Sequence, residues 1–286
     1  MGTASGRGPI VITGASSGIG RACAIYLEQR GHQVFAGVRK EADAEDLRKN
    51  GSDRMSPIIV DITDHDSIGA AFADVETRLA GRPLQGLVNN AGITVSGPAE
   101  FVPIDEVRRQ FEINLFGHMA MTQAFLPMLR TSKGRVVNVG SIGGRNALPF
   151  MSPYCASKFA MEGFTDSLRM ELSAWGMHVS LIEPGSIATP LWEKGTSQAD
   201  SLIDDLPKEA HELYGEAMDK AKVAAVREEA RAIPPERVAA AIEHALTSSR
   251  PKTRYLVGRD ARMIAAVKNL PDRVVDKLIL QQLRLK

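Results

Sequence analysis

Apolar residues come along this chain in short runs, and a longer stretch with helical period follows most of them. The runs are Pro9–Thr13, Gln33–Val38, Pro57–Asp61, Leu84–Asn89, Arg135–Val139, His178–Glu183 and Arg254–Val257. Most are continuous and β-branched rather than alternating, as expected of strands covered on both faces. Between them lie segments with apolar residues three and four apart, among them Gly18–Arg30, His65–Ala80, Ile104–Arg130 and Pro153–Trp175. This alternation predicts an α/β fold, a Rossmann-like, doubly wound parallel sheet of about seven strands flanked by helices. No internal repeat, low-complexity tract or Pro/Ser-rich linker divides the chain, so residues 1–286 read as a single domain.

Residues 189–235 break the rhythm. They begin polar and then run through a helical pattern with Leu206, Leu213, Ala217, Met218, Ala221 and Ala225 on roughly one face. The insertion follows the sixth strand, on the side of the sheet where open α/β folds bind ligands, which predicts a helical lid over a substrate cleft. The plainer alternative is a pair of surface helices. Residues 259–286 form an amphipathic, basic tail, expected to be helical and to cover its own domain or a sister subunit, with a membrane surface as the minority reading.

Composition narrows the class without naming it. Hydrophobic residues make up 44% and charged residues 24%, ordinary for a soluble protein. Lys+Arg 35 against Asp+Glu 34 leaves a net charge of +1, which gives no global attraction to nucleic acid. Cys23 and Cys155 are the only cysteines, the six histidines lack metal-ligand spacing, and no secretory pattern opens the chain. No apolar run approaches the roughly 18 residues of a membrane span. The expectation is a cytoplasmic protein with no metal and no transmembrane segment.

The first chemistry lies between strand one and helix one, at Thr13-Gly14-Ala15-Ser16-Ser17-Gly18-Ile19-Gly20. Glycines there permit a tight turn, close approach of a pyrophosphate to the backbone, and contact of helix with strand. The N–H groups of the helix start then face the phosphates. A dinucleotide site selective for an unphosphorylated ribose carries an acid at the end of strand two; here Val38-Arg39-Lys40 stands instead. Two cations favour a 2′-phosphate, so NADP is favoured over NAD. Alternatively Arg39 and Lys40 are solvated loop charges partnered by Glu41 and Asp43.

A second pattern is Ser152-Pro153-Tyr154-Cys155-Ala156-Ser157-Lys158, which puts a phenol and an amine one helical turn apart. With four tyrosines and twelve lysines, the pair has odds of roughly one in six by chance. Its neighbours decide the matter. Asp61-Ile62 closes the third strand, Asn89-Asn90-Ala91-Gly92 the fourth, Asn114 lies in Glu112–Gly117, Ser141 precedes Tyr154 by thirteen positions, and Pro184-Gly185 with Thr189 follows the sixth strand. In this order, with the glycine loop, the motifs make the chain resemble the classical short-chain dehydrogenase/reductase family, from about Pro9 to Val257.

The resemblance implies a hydride moved between a nicotinamide dinucleotide and an alcohol or ketone. It implies Tyr154 as general acid/base, its pKa lowered by Lys158 together with an oxidised nicotinamide ring; Ser141 as the group that positions the substrate oxygen; and Asn114 as holder of a water leading to Lys158. The implied cofactor contacts are Gly14, Ser16, Ser17, Gly18, Ile19, Gly20, Arg39, Asp61, Ile62, Asn90, Ala91, Gly92, Tyr154, Lys158, Pro184, Gly185, Ile187 and Thr189. Ser141, Gly143, Pro149, Tyr154, Leu191 and Trp192 are implied around the substrate, with largely apolar walls suited to a steroid-, retinoid- or lipid-like alcohol. Arg145 would instead suit a hydroxy acid. Helices Ile104–Arg130 and Pro153–Trp175 imply a homodimer or homotetramer. A nucleotide-sugar epimerase shares the Tyr–Lys spacing but uses another glycine pattern. A methyltransferase has no need of the Tyr–Lys pair, and a redox sensor that binds the dinucleotide without turnover remains the non-enzymatic alternative.

Overall fold

The computed structural model describes residues 7–189 and 206–285. Its strands are β1 (Ile10–Ile12), β2 (Val34–Val38), β3 (Met55–Ile59), β4 (Gly86–Asn89), β5 (Arg135–Val139), β6 (His178–Pro184) and β7 (Arg254–Val257). All pair in parallel, in the order β3-β2-β1-β4-β5-β6-β7. The predicted strands are therefore present, with shifted ends. The third begins at Met55, so Asp61 and Ile62 lie just beyond it rather than closing it. Pro57 is tolerated inside β3 because that strand is at the sheet edge, where a missing N–H costs no ladder bond.

Side chains alternate across the sheet and so build two cores. Ile10, Ile12, Val34, Ala36 and Val38 point to one face, where they meet Ala24 and Leu27 of α1 (Gly18–Gln29) and Ala44 and Leu47 of α2 (Glu41–Asn50). Val11 and Phe35 point to the other, against Ile68, Ala71 and Val75 of α3 (His65–Leu79). That second face is completed by α5 (Gly117–Ser132), through Met121, Phe125 and Leu129, and by α6 (Ser152–Leu172), through Leu168 and Leu172. The predicted helix Ile104–Arg130 is interrupted. It runs as α4 (Ile104–Phe111), then a wider π-helical turn at Glu112–Phe116, then α5.

Beyond β6, α7 (Lys208–Glu229) is the described part of the predicted lid, and α8 (Glu236–Thr247) returns to the first core. Along α7 the inward face is Ala210, Tyr214 and Met218, which with Leu206 just before the helix meets Phe101 and Phe150 of two loops at the top of the sheet. The sequence-derived face was offset, since Leu213 is 60% exposed. The tail forms α9 (Arg259–Val267) and α10 (Asp272–Gln282), broken before Pro271. Ala261 and Val275 pack inward while Val274 and Leu278 stay 43% exposed, so only one stripe of the tail is covered. No described helix is long and apolar enough to cross a membrane.

Candidate active site

The strand order reverses between β1 and β4, and open α/β sheets bind ligands beyond the carboxyl ends at that point. There the chain turns sharply, with Gly14 at φ 68° and Gly18 at φ 57°, backbone that side chains rarely adopt. Gly20 lies in the first turn of α1, where a Cβ would sit 2.2 Å from the Gly14 carbonyl and 2.4 Å from Asn90 Nδ2. Only hydrogen fits, so the helix start presses directly on the loop. Asn90 stitches the two crossing loops together, its amide donating to the carbonyls of Thr13 (2.9 Å) and Gly14 (3.3 Å). The Thr13 hydroxyl in turn accepts from the N–H groups of Asn90 and Ala91.

The start of α1 is open. Ser17 makes no side-chain cap and the first turn carries no acid, whereas Asp64 caps α3 through the Asp66 N–H. Uncapped N–H groups, half-buried Ser16, Ser17 and Ile19, and a glycine cradle form a donor set that fits a pyrophosphate.

At the far end of this groove Arg39 and Lys40 are exposed. Glu41, a candidate partner for them, pairs instead with Arg48 at 2.5 Å. Arg39 lies within electrostatic reach of Asp61. Burial opposes ionisation of that carboxyl, but two hydrogen bonds from Thr63 and the charge of Arg39 outweigh it and hold its pKa below the usual value. Ile62 is buried against α5, where Gly117 lets the helix approach its carbonyl.

The phenol, hydroxyl, amine and amide meet where β4 and β5 end. Ser141, beyond β5, stands beside the Tyr154 phenol, close enough to oppose the rise in its pKa, and accepts from the Gly143 N–H at 3.0 Å. Lys158 is buried one turn along α6, its Nζ donating to the Val139 carbonyl (3.0 Å) and standing 5.8 Å from the centre of the Tyr154 ring. Asn114 sits fully buried in the π-helical turn. Its amide donates to the Ile93 carbonyl and to Ser157 Oγ of α6, and its oxygen accepts from the Ile93 N–H. The side chain thus ties the loop after β4 to α6.

In the chain by itself, burial pushes the Tyr154 phenol up to about 12, with Ser141 opposing. Burial likewise depresses Lys158 to about 8. The phenol is therefore held protonated across neutral pH, the state of a proton donor.

The predicted substrate wall divides. Gly143 is buried beside the cluster, where a Cβ would lie 3.3 Å from Tyr154 Cε1. Pro149 is half-buried at the rim. Leu191 and Trp192 lie outside the described residues. Arg145 is not free to select an anion, because its guanidinium grips both carboxylate oxygens of fully buried Glu183, at the end of β6. After β6, Gly185 donates to the Val257 carbonyl (2.9 Å), buried Ile187 bridges to Ile233, and Thr189 ends half-buried. Pro184 closes β6 in the core.

Four supporting features escaped the sequence reading. His118 is fully buried, its pKa lowered to about 3 by desolvation and the nearby Lys158 charge, and its ring bonds the Ala91 carbonyl at 2.6 Å. Thr122, Asn89, Asn138 and Thr165 form a buried chain of amides and hydroxyls across β4 and β5. Glu162, one turn beyond Lys158, faces Glu183 and Arg254. Tyr214 of α7 donates to Glu100 at 2.8 Å and packs edge-on to Phe101 and Phe150. A buried His or Glu with a distant partner has no local signature, though the i, i+4 spacing of Lys158 and Glu162 was visible.

Residues 9–200 match the family model described as short chain dehydrogenase. Over 277 residues the chain is 39% identical to retinol dehydrogenase 5 of Mus musculus, covering 94% of this chain and 87% of that protein. It is 35% identical over 280 residues to an NADPH-dependent 3-dehydrocapnine reductase of Ornithobacterium rhinotracheale, covering 96% of each. A short chain dehydrogenase from Burkholderia cenocepacia J2315, solved in complex with NADP, superposes with a TM-score of 0.74 at 26% identity, covering 96% of this chain and 98% of that one. With the glycine cradle at the strand reversal and the Ser–Tyr–Lys cluster beside it, the chain belongs to the short-chain dehydrogenase family and is an NAD(P)-dependent oxidoreductase acting on CH–OH groups or their ketones.

Proposed function

We propose that this enzyme interconverts a lipophilic secondary alcohol and its ketone, with NADP as the preferred dinucleotide. The observation that carries the reading is the Ser141–Tyr154–Lys158 cluster, a proton donor beside a hydroxyl that fixes an oxygen. A nicotinamide bound in this groove supplies or accepts the hydride. The chain's own residues handle the oxygen and its proton. Ser141 bonds the substrate oxygen and Tyr154 donates a proton to it as negative charge develops, or takes that proton back in oxidation. Lys158, cationic below about pH 8, stabilises the phenolate left behind and holds the nicotinamide ribose. Asn114 keeps the β4 loop and α6 in register.

For the dinucleotide, the glycine loop and the start of α1 would hold the phosphates, and Arg39 the 2′-phosphate. Asp61 and Ile62 would flank the adenine. Asn90, Ala91 and Gly92 would form the floor, with Pro184, Gly185, Ile187 and Thr189 at the nicotinamide. Exposed Arg39 without a strand-end acid supports NADP, as do the NADPH-dependent relative and the NADP-bound structure. Engagement of Arg145 by Glu183 removes the cation that a hydroxy-acid substrate would use. The apolar cluster of Phe101, Phe150 and Tyr214 beside α7 supports a lipophilic substrate beneath that helix, and the similarity to retinol dehydrogenase 5 points the same way. Phe116, Phe159 and Met170, 49%, 41% and 61% exposed on the two long helices, support a homodimer or homotetramer. Free thiols at Cys23 and Cys155 accord with the cytoplasm.

The test is a panel of retinal, ketosteroids and short acetoacetyl substrates with NADPH and NADH, alongside Tyr154→Phe. Turnover of the first two classes, abolished in Tyr154→Phe with NADPH binding retained, is expected. Turnover of the short substrates alone would sink the lipophilic reading.

A further inference from the structure

The loop after β6 is held from a direction that the motifs do not announce. Asp260, in the first turn of α9, accepts a hydrogen bond from the Ser186 N–H through Oδ2 at 2.6 Å. Two glycines make room for its carboxylate. A Cβ at Gly185 would lie 2.1 Å from Asp260 Oδ2, and one at Gly258, where φ is 119°, would lie 2.2 Å from Oδ1. Gly185 thus has a local explanation, because the Asp260 carboxylate occupies the space a side chain would take. The same helix reaches the second loop of the site, because the Ile264 carbonyl accepts from Asn146 Nδ2 at 3.0 Å, one residue from Arg145. One short helix at the far end of the chain therefore touches both loops that border the cleft.

We infer that Asp260 is a positioning residue for the dinucleotide, a clasp that fixes the Gly185–Ser186 backbone and through it the nicotinamide half of the site. The inference rests on the reading of residues 184–189 as the nicotinamide loop. The opposite side of Ser186 is already anchored, since its carbonyl accepts from the Ile233 N–H at 3.0 Å and Ala188 donates to the Ile233 carbonyl at 3.0 Å. Asp260 supplies the remaining tie, to the N–H. A carboxylate here serves better than a neutral acceptor because the bond is charge-assisted, and because it also sits at the positive end of α9.

The test compares two probes on the full chain, NADPH and 2′,5′-ADP, which lacks the nicotinamide half. In Asp260→Ala, NADPH affinity measured by fluorescence should fall about tenfold, the scale of one lost charge-assisted bond, while 2′,5′-ADP affinity stays within about twofold. Asp260→Asn keeps an oxygen for the Ser186 N–H and should recover most of the loss. Equal weakening of both probes, no weakening of NADPH, or an Asp260→Asn as impaired as the alanine variant would each overturn the inference. If the unaltered enzyme bound NADPH no more tightly than 2′,5′-ADP, the nicotinamide-loop reading itself would fall and the inference with it. If it discriminates and Asp260→Ala discriminates equally, only the clasp falls.

Discussion

Replacing Arg145 by methionine removes the cation from a carboxylate that has no access to water. Glu183 is fully buried at the end of β6, and Arg145 bonds both of its oxygens. The rest of the cluster does not replace it. Arg254 is held by Glu162 at 2.9 Å and Asp166 at 2.6 Å, and among the described residues Arg169 bonds only Asp166, so loss of Arg145 leaves Glu183 without a cation of its own. Deleting one partner of a buried pair costs about 3–5 kcal/mol, and the partial exposure of Arg145 argues for the lower figure. At about 2 °C per kcal/mol for a chain of this size, the melting temperature should fall by roughly 6 °C or more. Calorimetry on Arg145→Met, Glu183→Gln and the double variant measures this directly. The double variant should be less destabilised than the sum of the singles by about 2 kcal/mol, because the uncompensated charge is gone. A melting point within about 2 °C of the original for Arg145→Met, or strictly additive losses, would refute the reasoning. It would reopen Arg145 as a substrate contact.

Three further outcomes are expected. Burial first, then Glu183, raises the Glu162 carboxyl well above its usual pKa, with Arg254 opposing. The folded state therefore keeps that proton to higher pH than the unfolded chain. The stabilisation is full below the unfolded value and is lost as pH rises through the folded one, so the melting temperature of Glu162→Gln should gain on the original between about pH 5 and pH 7. Gly20→Ala forces a methyl into backbone 2.2 Å away, and should cost about 1–3 kcal/mol in a melt and at least tenfold in NADPH affinity. Arg39→Glu should reverse the cofactor preference, weakening NADPH about tenfold or more relative to NADH in parallel titrations, since repulsion replaces a charge-assisted contact.

Much of this molecule was legible before any coordinate. Seven short apolar runs, most of them β-branched, became seven strands because a strand covered on both faces must be apolar on both, and that requirement is written locally. The glycine loop was legible for a similar reason: a left-handed turn and a crowded helix start exclude side chains at Gly14, Gly18 and Gly20. The Tyr154–Lys158 pair was visible as a spacing because both residues lie on one helix, where position along the chain fixes position in space. The offset face of α7 shows the limit of the same logic. A helix rich in alanine presents several plausible stripes, and what buried Tyr214 rather than Leu213 was the presence of Phe101 and Phe150 opposite it.

The tertiary structure decided everything that depended on a partner from elsewhere in the chain. Arg145 read as a free cation until the end of β6 put Glu183 against it. Glu41 stood close to Arg39 in sequence, but α2 turned it toward Arg48. The tyrosine pKa is raised chiefly by desolvation, which is set by the surrounding fold and has no local signature. Asp260 had no readable role at all until α9 delivered it to the Ser186 N–H. Sequence alone carried the reaction class, because the ordered motifs whose resemblance to the family implies it are short local patterns. The electrostatics of the site belong to the fold, because burial and charge pairing are properties of neighbours that the chain brings together only when it closes.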